Sequence, residues 1–153
     1  METIQRVDVV EPQAARGKLA LQLGAATALA PDQANQLAHP YPVALECSGR
    51  NVAFELIQAK LKPGGRICIL SDGNLEPLVL APDFHEKELT IIGSSDGWDY
   101  HKHAAWFFNL LRQGSPALEA IFDYEITQDK LVDTFESMAA GLISPVKVFV
   151  RYR

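Results

Sequence analysis

The segment from Val43 to Leu70 constrains this chain more than any other. Two continuous apolar runs, VALECSG from Val43 to Gly49 and ICIL from Ile67 to Leu70, flank a stretch from Asn51 to Leu61. Within that stretch Val52, Phe54, Leu56, Ile57 and Leu61 recur at helical spacing. Runs without polar alternation read as strands buried on both faces, which is the habit of parallel sheets. Strand, helix and strand joined by short links form a right-handed crossover unit, because a right-twisted strand packs back through a helix in that hand only. KPGGR is expected to break the chain between the helix and the second strand.

The flanks alternate in the same manner. Val7, Val9 and Val10 make a short β-branched run that stops at Glu11. Gln13 to Leu23 reads as a helix, with Pro12 in its first turn and Gly24 as its C-terminal cap. ATALAP is a further short strand, and DQANQLAHPYP a polar, proline-closed connection. Downstream, LEPLVLAPDFHEKE reads as a loose connection and LTIIGSSDG as another strand. DYHKHAAWFFNLLRQGS reads as an amphipathic helix with Gly114 beyond its end. The tail holds IFDYEI, a helix from about Thr127 to Ala140 stopped by Gly141, and a last strand in VKVFVRY.

Composition narrows the function classes. A chain of 153 residues suits one domain with a sizeable core. Its 48% hydrophobic and 22% charged residues describe a soluble globular protein, and no apolar run approaches the roughly 18 residues of a membrane span. Met1 is followed at once by Glu2, Thr3 and Gln5, which is not a signal peptide. A net charge of −5 argues against nucleic acid and anionic membrane as partners. Small molecules and other proteins remain. Cys47 and Cys68 lie in strand-like runs, where cysteine packs as a small hydrophobe, and two thiols without metal spacing point to the cytoplasm.

VDVVE followed by a helix is how the second strand of a nucleotide-binding α/β domain reads, the acid at its tip meeting a ribose hydroxyl. Such a strand should be preceded by roughly 25 residues with a first strand and a glycine-rich phosphate loop. Here Met1 to Arg6 precede it, and G-x-G-x-x-G occurs nowhere in the chain. The strand order of that fold, 3-2-1-4-5-6, puts the missing strand at the sheet centre, so VDVV and VALEC would each show an unpaired edge. Direct pairing of the two, the Met1 to Gln5 segment, another copy of the chain, or a separately made N-terminal piece would have to close that gap.

Taken in order, VDVVEP, ALQLGA, ALECSG, LKPGGRICIL, KELTIIGS and KVFVRY resemble the nucleotide-binding half and C-terminal tail of the medium-chain, zinc-type alcohol dehydrogenases and reductases. The resemblance implies an α/β fold, a Rossmann-like open and mainly parallel sheet with helices on both faces, lacking the usual first strand-helix unit. Residues 1–153 would form a single truncated dinucleotide-binding domain, with 122–153 corresponding to the family's tail. It implies NAD or NADP as cofactor, bound weakly or not at all without the phosphate loop. NAD is preferred because Glu11 would meet a 2′-phosphate as a like charge, a preference that Arg6 and Arg16 weaken. Carried over by position, Glu11 would hold the adenosine ribose and Arg16 would lie beside it. Cys47, Ser48 and Gly49 would flank the adenine and ribose side. Leu70, Ser71 and Asp72, with Gly93, Ser94 and Ser95, would lie against the nicotinamide. The family's zinc ligands belong to an N-terminal domain, so neither catalytic residues nor metal ligands are expected in this chain, and it should not catalyse alone. The strand at Leu89 to Gly93 would pair with its mate across a homodimer.

Several tempting features have plainer readings. His101 and His103, two apart, point to different faces of a helix and converge poorly on a metal, whereas Asp96 or Asp99 suits a helix N-cap. Trp98, Trp106, Phe107 and Phe108 read as core. His39 and His85 carry no role. Two other functions compete. One is a non-catalytic Rossmann-like dimerisation or interaction module. The other is an S-adenosylmethionine-dependent methyltransferase, disfavoured by the short spacing from ECSG to KPGG and by the want of an antiparallel strand pair at the end.

Overall fold

A computed structural model of the chain describes residues 6–37, 40–72, 76–95, 99–114 and 118–152. The Met1 to Gln5 segment, His39, Asp96 and Trp98 lie outside the described residues. The chain divides into two compact units, residues 1–35 with 110–153, and residues 36–109.

The second unit carries the crossover that the sequence demands. Strands β3 (Tyr41–Glu46), β4 (Leu61–Ile69) and β5 (Thr90–Gly93) pair in that order, all parallel. Ala44, Ile67 and Ile91 fall in register across them, and helix α2 (Asn51–Lys60) packs on the face they share. Phe54, Leu61, Ile67 and Leu89 form the buried cluster there. The opposite register row, Leu45, Cys68 and Ile92, leaves Leu45 and Ile92 more than half exposed.

The helical pattern misassigns one residue and misses another. Val52 is 76% exposed, and Gln58 is fully buried. Phe54, Gln58 and Leu61 are spaced four and three apart and share a face, whereas Val52 stands about 200° from Phe54 on a 3.6-residue turn. The Gln58 amide is fully used: Oε1 accepts from the Ala81 N–H at 2.9 Å, and Nε2 donates to the carbonyls of Val79 at 3.1 Å and Phe54 at 3.3 Å. Asn51 Oδ1 accepts from the Val79 N–H at 2.7 Å. The connection expected to be loose is thus held by side-chain amides, and it contains a short helix, α3 (Pro82–Glu86).

KPGGR does not break the chain before the strand; it lies inside β4. Between Tyr41↔Leu61 and Val43↔Arg66 the register shifts, β4 taking five residues where β3 takes two. Glycine permits this bulge. A Cβ on Gly65 would lie 2.8 Å from the Lys62 carbonyl oxygen, closer than side chains tolerate.

Helix α3 ends with Glu88 in the left-handed region, at φ 51°, while the Leu89 N–H returns to the Phe84 carbonyl at 3.0 Å. A Cβ there costs free energy that glycine avoids. Glu88→Gly is therefore expected to stabilise the protein by about 0.5–1 kcal/mol, read as a higher urea midpoint with unchanged slope. A lower midpoint would refute the strain at this cap.

In the first unit, β1 (Asp8–Val10) pairs in parallel with β2 (Thr27–Leu29) through helix α1 (Ala14–Gln22). Pro12 precedes the helix rather than sitting in its first turn, because Gln13 is the N-cap. Gly24, at φ 102°, does cap α1: its N–H reaches the Leu21 carbonyl at 3.1 Å, and that of Ala25 reaches Ala20 at 2.9 Å. The tail forms β6 (Tyr124–Thr127), a turn of 3-10 helix at Gln128–Lys130, α5 (Leu131–Ala139) and β7 (Val148–Arg151), which is parallel to β6. Thr127 ends the strand and is also the N-cap of that 3-10 turn, its hydroxyl donating to Asp129 at 2.5 Å.

Helix α4 (Tyr100–Arg112) contradicts the core reading of its aromatics. It has no buried residue, and Trp106, Phe107 and Phe108 are 61%, 40% and 56% exposed. Three consecutive side chains fan out over about 200° of a helix and cannot share one apolar face. Asp99 accepts from the Lys102 N–H at 3.2 Å, as an N-cap should.

Candidate functional site

In a parallel sheet all strands present their C-terminal tips on one side, and the turns that follow are where ligands meet the fold. In the second unit those turns are Cys47–Gly49, Leu70–Asp72 and Gly93–Ser95. Hydrogen bonds connect them in series. The Glu46 carbonyl accepts from the N–H groups of Leu70 at 2.8 Å and Ser71 at 3.1 Å, and the Ile69 carbonyl accepts from Ser94 at 2.9 Å.

Glu46 is the residue that the sequence reading missed. It closes β3 and is 1% exposed. Its Oε1 accepts from the Ser48 N–H at 2.8 Å, the Ser48 hydroxyl at 2.5 Å and the Gly49 N–H at 3.1 Å. Its Oε2 accepts from the Ser71 hydroxyl at 2.5 Å and the Gly49 N–H at 3.2 Å. Burial pushes this carboxyl up, but the hydroxyls of Ser48 and Ser71 and the N–H groups of Ser48 and Gly49 outweigh it and hold the group below its ordinary value. Glu46 is therefore ionised near neutral pH, as a buried charge satisfied by four donors can be. The available signal was a lone acid closing an apolar run just before Ser-Gly.

The hydroxyls of Ser48 and Ser71 are thus both committed to Glu46. Both hydroxyl protons point at Glu46, so toward a ligand these oxygens can only accept. Cys47 is exposed rather than packed. Burial, then the Glu46 carboxylate and Cys68, raise its thiol pKa, so it stays protonated and is a poor nucleophile. Leu70 is 42% exposed and Asp72 is exposed at the tip. At Gly93 no described residue lies within 4 Å of where a Cβ would stand.

Glu11 and Arg16 belong to the first unit and are described there. Glu11 Oε1 accepts from the Gln13 N–H at 2.8 Å, which turns the chain into α1 and leaves the second oxygen for another donor. Arg16 Nη2 donates to the Ser144 carbonyl at 3.4 Å, and its Nε is buried without a hydrogen-bond partner among the described residues. Nearby, burial raises the Asp123 carboxyl but the N–H groups of Val146 and Lys147 outweigh it, with Arg16 adding to the net lowering. Arg16 is thus tied to the tail. Among the described residues no three His, Cys, Asp or Glu side chains group as a metal site would require. A cleft of about 520 Å³ lies in the first unit between β6 and α5, and it contains none of these residues. Its charges are spent on ion pairs, Lys130 with Asp133 at 3.7 Å and Glu125 with Arg151.

Comparison with solved structures places this geometry. Benzyl alcohol dehydrogenase from Acinetobacter calcoaceticus matches over 97% of this chain and 43% of its own, at 18% identity and a TM-score of 0.82. For 2R,3R-butanediol dehydrogenase from Bacillus subtilis the figures are 97%, 44%, 22% and 0.80. A protein assigned as a zinc-binding dehydrogenase from Sinorhizobium meliloti 1021, bound to NADP, gives 97%, 45%, 24% and 0.80. The fold is that of the zinc-type alcohol dehydrogenases. This chain spans less than half the length of each of those dehydrogenases. No family model matches it, and no curated protein matches it in sequence. The Rossmann-like, mainly parallel architecture expected from the dehydrogenase resemblance holds in every described ladder. No helix among the described residues is long and apolar enough to cross a membrane.

Proposed function

We propose that this chain is the dinucleotide-holding part of a zinc-type alcohol dehydrogenase, binding NAD in preference to NADP and not transferring hydride alone. The observation that carries the reading is the set of three strand-tip turns tied through Glu46 and Ser94 on one side of a parallel sheet. Residues 47–49 would hold the adenine and ribose side, and residues 70–72 and 93–95 the nicotinamide side. Within the first unit, Glu11 and Arg16 are the residues that the family resemblance assigns to the ribose. The dinucleotide would supply hydride acceptance; this chain would supply orientation. Arg6 is paired with Asp8 at 2.8 Å, which offsets its charge toward a 2′-phosphate, and Arg16 turns Nη2 to the Ser144 carbonyl at 3.4 Å. The absence of G-x-G-x-x-G from the 153 residues argues for weak binding, because backbone N–H groups for the pyrophosphate are not supplied.

The reading also assigns partners: a second copy across the β5 edge at Leu89–Gly93, where Ile92 is 51% exposed, and a separate N-terminal piece along β3. It assigns a cytoplasmic location. NAD at ten times its Kd should stabilise the protein by about 1.4 kcal/mol and raise the Tm by roughly 3–6 °C. NADP should do less and S-adenosylmethionine nothing. A shift with S-adenosylmethionine alone would restore the methyltransferase reading, against which the parallel pairing of β6 and β7 already counts.

One observation favours a second reading, the non-catalytic interaction module. Trp106 and Phe108 of α4 are each more than half exposed, as is Phe135 in the first unit, and exposed aromatic side chains of this kind are ones a protein partner covers. Isothermal titration without dinucleotide binding, together with a stable dimer in light scattering, would select it.

A further inference from the structure

We propose that Glu46 is a positioning residue that couples the Cys47–Gly49 turn to the Leu70–Asp72 loop, holding them in register for the two ends of one ligand. What the loops hold rests on the dinucleotide reading; the coupling itself does not.

The geometry for coupling lies in how the two carboxylate oxygens are divided. Oε1 serves the β3 turn through the N–H and hydroxyl of Ser48 and the N–H of Gly49. Oε2 joins Gly49 to the hydroxyl of Ser71. Ser71 is gripped twice by this one residue, since its N–H also binds the Glu46 carbonyl at 3.1 Å. The carboxylate is buried, so water does not readily replace a lost donor. A shift of the Ser71 loop must therefore move the carboxylate, and with it the Ser48–Gly49 turn.

Two substitutions separate the arms. Ser71→Ala removes the bond to Oε2 and leaves the Oε1 set intact. Glu46→Gln can keep its carbonyl where Oε1 stands, but its NH₂ at the place of Oε2 meets the Gly49 N–H donor to donor, which turns the amide away from Ser71 and breaks that link. Both changes loosen the nicotinamide-side loop more than the adenosine-side turn.

The test is NMR titration of the full chain and its variants with NAD and with ADP-ribose, well below the melting transition. Ser71→Ala and Glu46→Gln should each weaken NAD about tenfold, or 1.4 kcal/mol, while ADP-ribose changes less than about twofold. The double variant should be no weaker than the worse single one, since both remove the same link. Ser71→Thr, which keeps the hydroxyl, should restore NAD affinity. Equal losses for both ligands, or additive losses in the double variant, would overturn the proposal, because a general loosening of the fold gives that pattern. If the wild-type chain binds neither ligand, the dinucleotide reading fails and amide exchange decides the coupling. Faster exchange at Ser48 and Gly49 in Ser71→Ala would support it, and unchanged exchange there would refute it.

Discussion

Phe54→Ala is expected to lower the stability of the unit built on β3, β4 and β5 by about 3–5 kcal/mol. Phe54 is 1% exposed and sits against Leu61, Ile67 and Leu89, with Tyr41, Ala44, Ile57, Ile69, Leu78, Phe84 and Ile91 around that cluster. Truncation removes most of a ring from water-free surroundings and leaves a cavity that a strand, a helix and the amide-held connection cannot readily collapse to fill. Domains are stable by only about 5–15 kcal/mol, so the loss should move the transition by roughly 10 °C or more. Val52→Ala on the same helix is the control. At 76% exposed, it should shift stability by less than about 0.5 kcal/mol. Thermal melts of the two variants check the helix phase directly, and equal losses would mean that α2 packs through a different face.

Removal of the Glu46 carboxylate should come next in size. Glu46→Ala strands two N–H groups and two hydroxyls, for which about 2–4 kcal/mol is expected. Its pH dependence follows from the direction of the shift. The folded-state carboxyl lies below its ordinary value of 4.5, so the unfolded chain takes up the proton first on acidification. The stabilisation is complete above that value and is lost as pH falls through the lowered folded one. Wild type should thus lose stability relative to Glu46→Gln as pH drops below about 4.5, the gap between them being widest near neutrality. Taking the difference cancels other shifted acids, such as Asp123. Cys47 does not intrude, since its thiol, raised from 9.0, stays protonated throughout this window. Urea denaturation of both proteins across this range measures the gap. A gap that widened in acid would mean that the carboxyl is not held ionised by its donors.

What the sequence disclosed was mostly backbone chemistry. Gly24 and Gly141 follow the last apolar residue of a helical pattern, and both cap as expected, the Leu142 N–H returning to Ser137 at 2.9 Å just as Ala25 returns to Ala20. The parallel crossover was legible because VALEC and ICIL lack polar alternation. Failures arose where tertiary context decides. Gln58 is polar by composition yet fully buried, since Val79 and Ala81 come close enough in the fold to occupy its amide. KPGGR carries every mark of a break, but glycine also permits a bulge, and only pairing with β3 distinguishes the two. Trp106, Phe107 and Phe108 look like core because aromatics usually are. Glu46 was invisible for a related reason: its donors on Ser48, Gly49 and Ser71 assemble only when the strand tips are brought together. Ser48, Gly49, Ser71 and Ser94 were named from the family resemblance, and the structure bonds the first three to Glu46 and the last to the Ile69 carbonyl.

The most direct measurement follows backbone amide resonances of the full chain during titration with NAD. Ser48, Gly49, Ser71 and Ser94 are expected to shift together along one saturable curve, with the β6–α5 cleft residues Thr127 and Ser137 unmoved. Saturable shifts confined to that cleft, or no shift at millimolar NAD, would contradict a dinucleotide site at the strand tips.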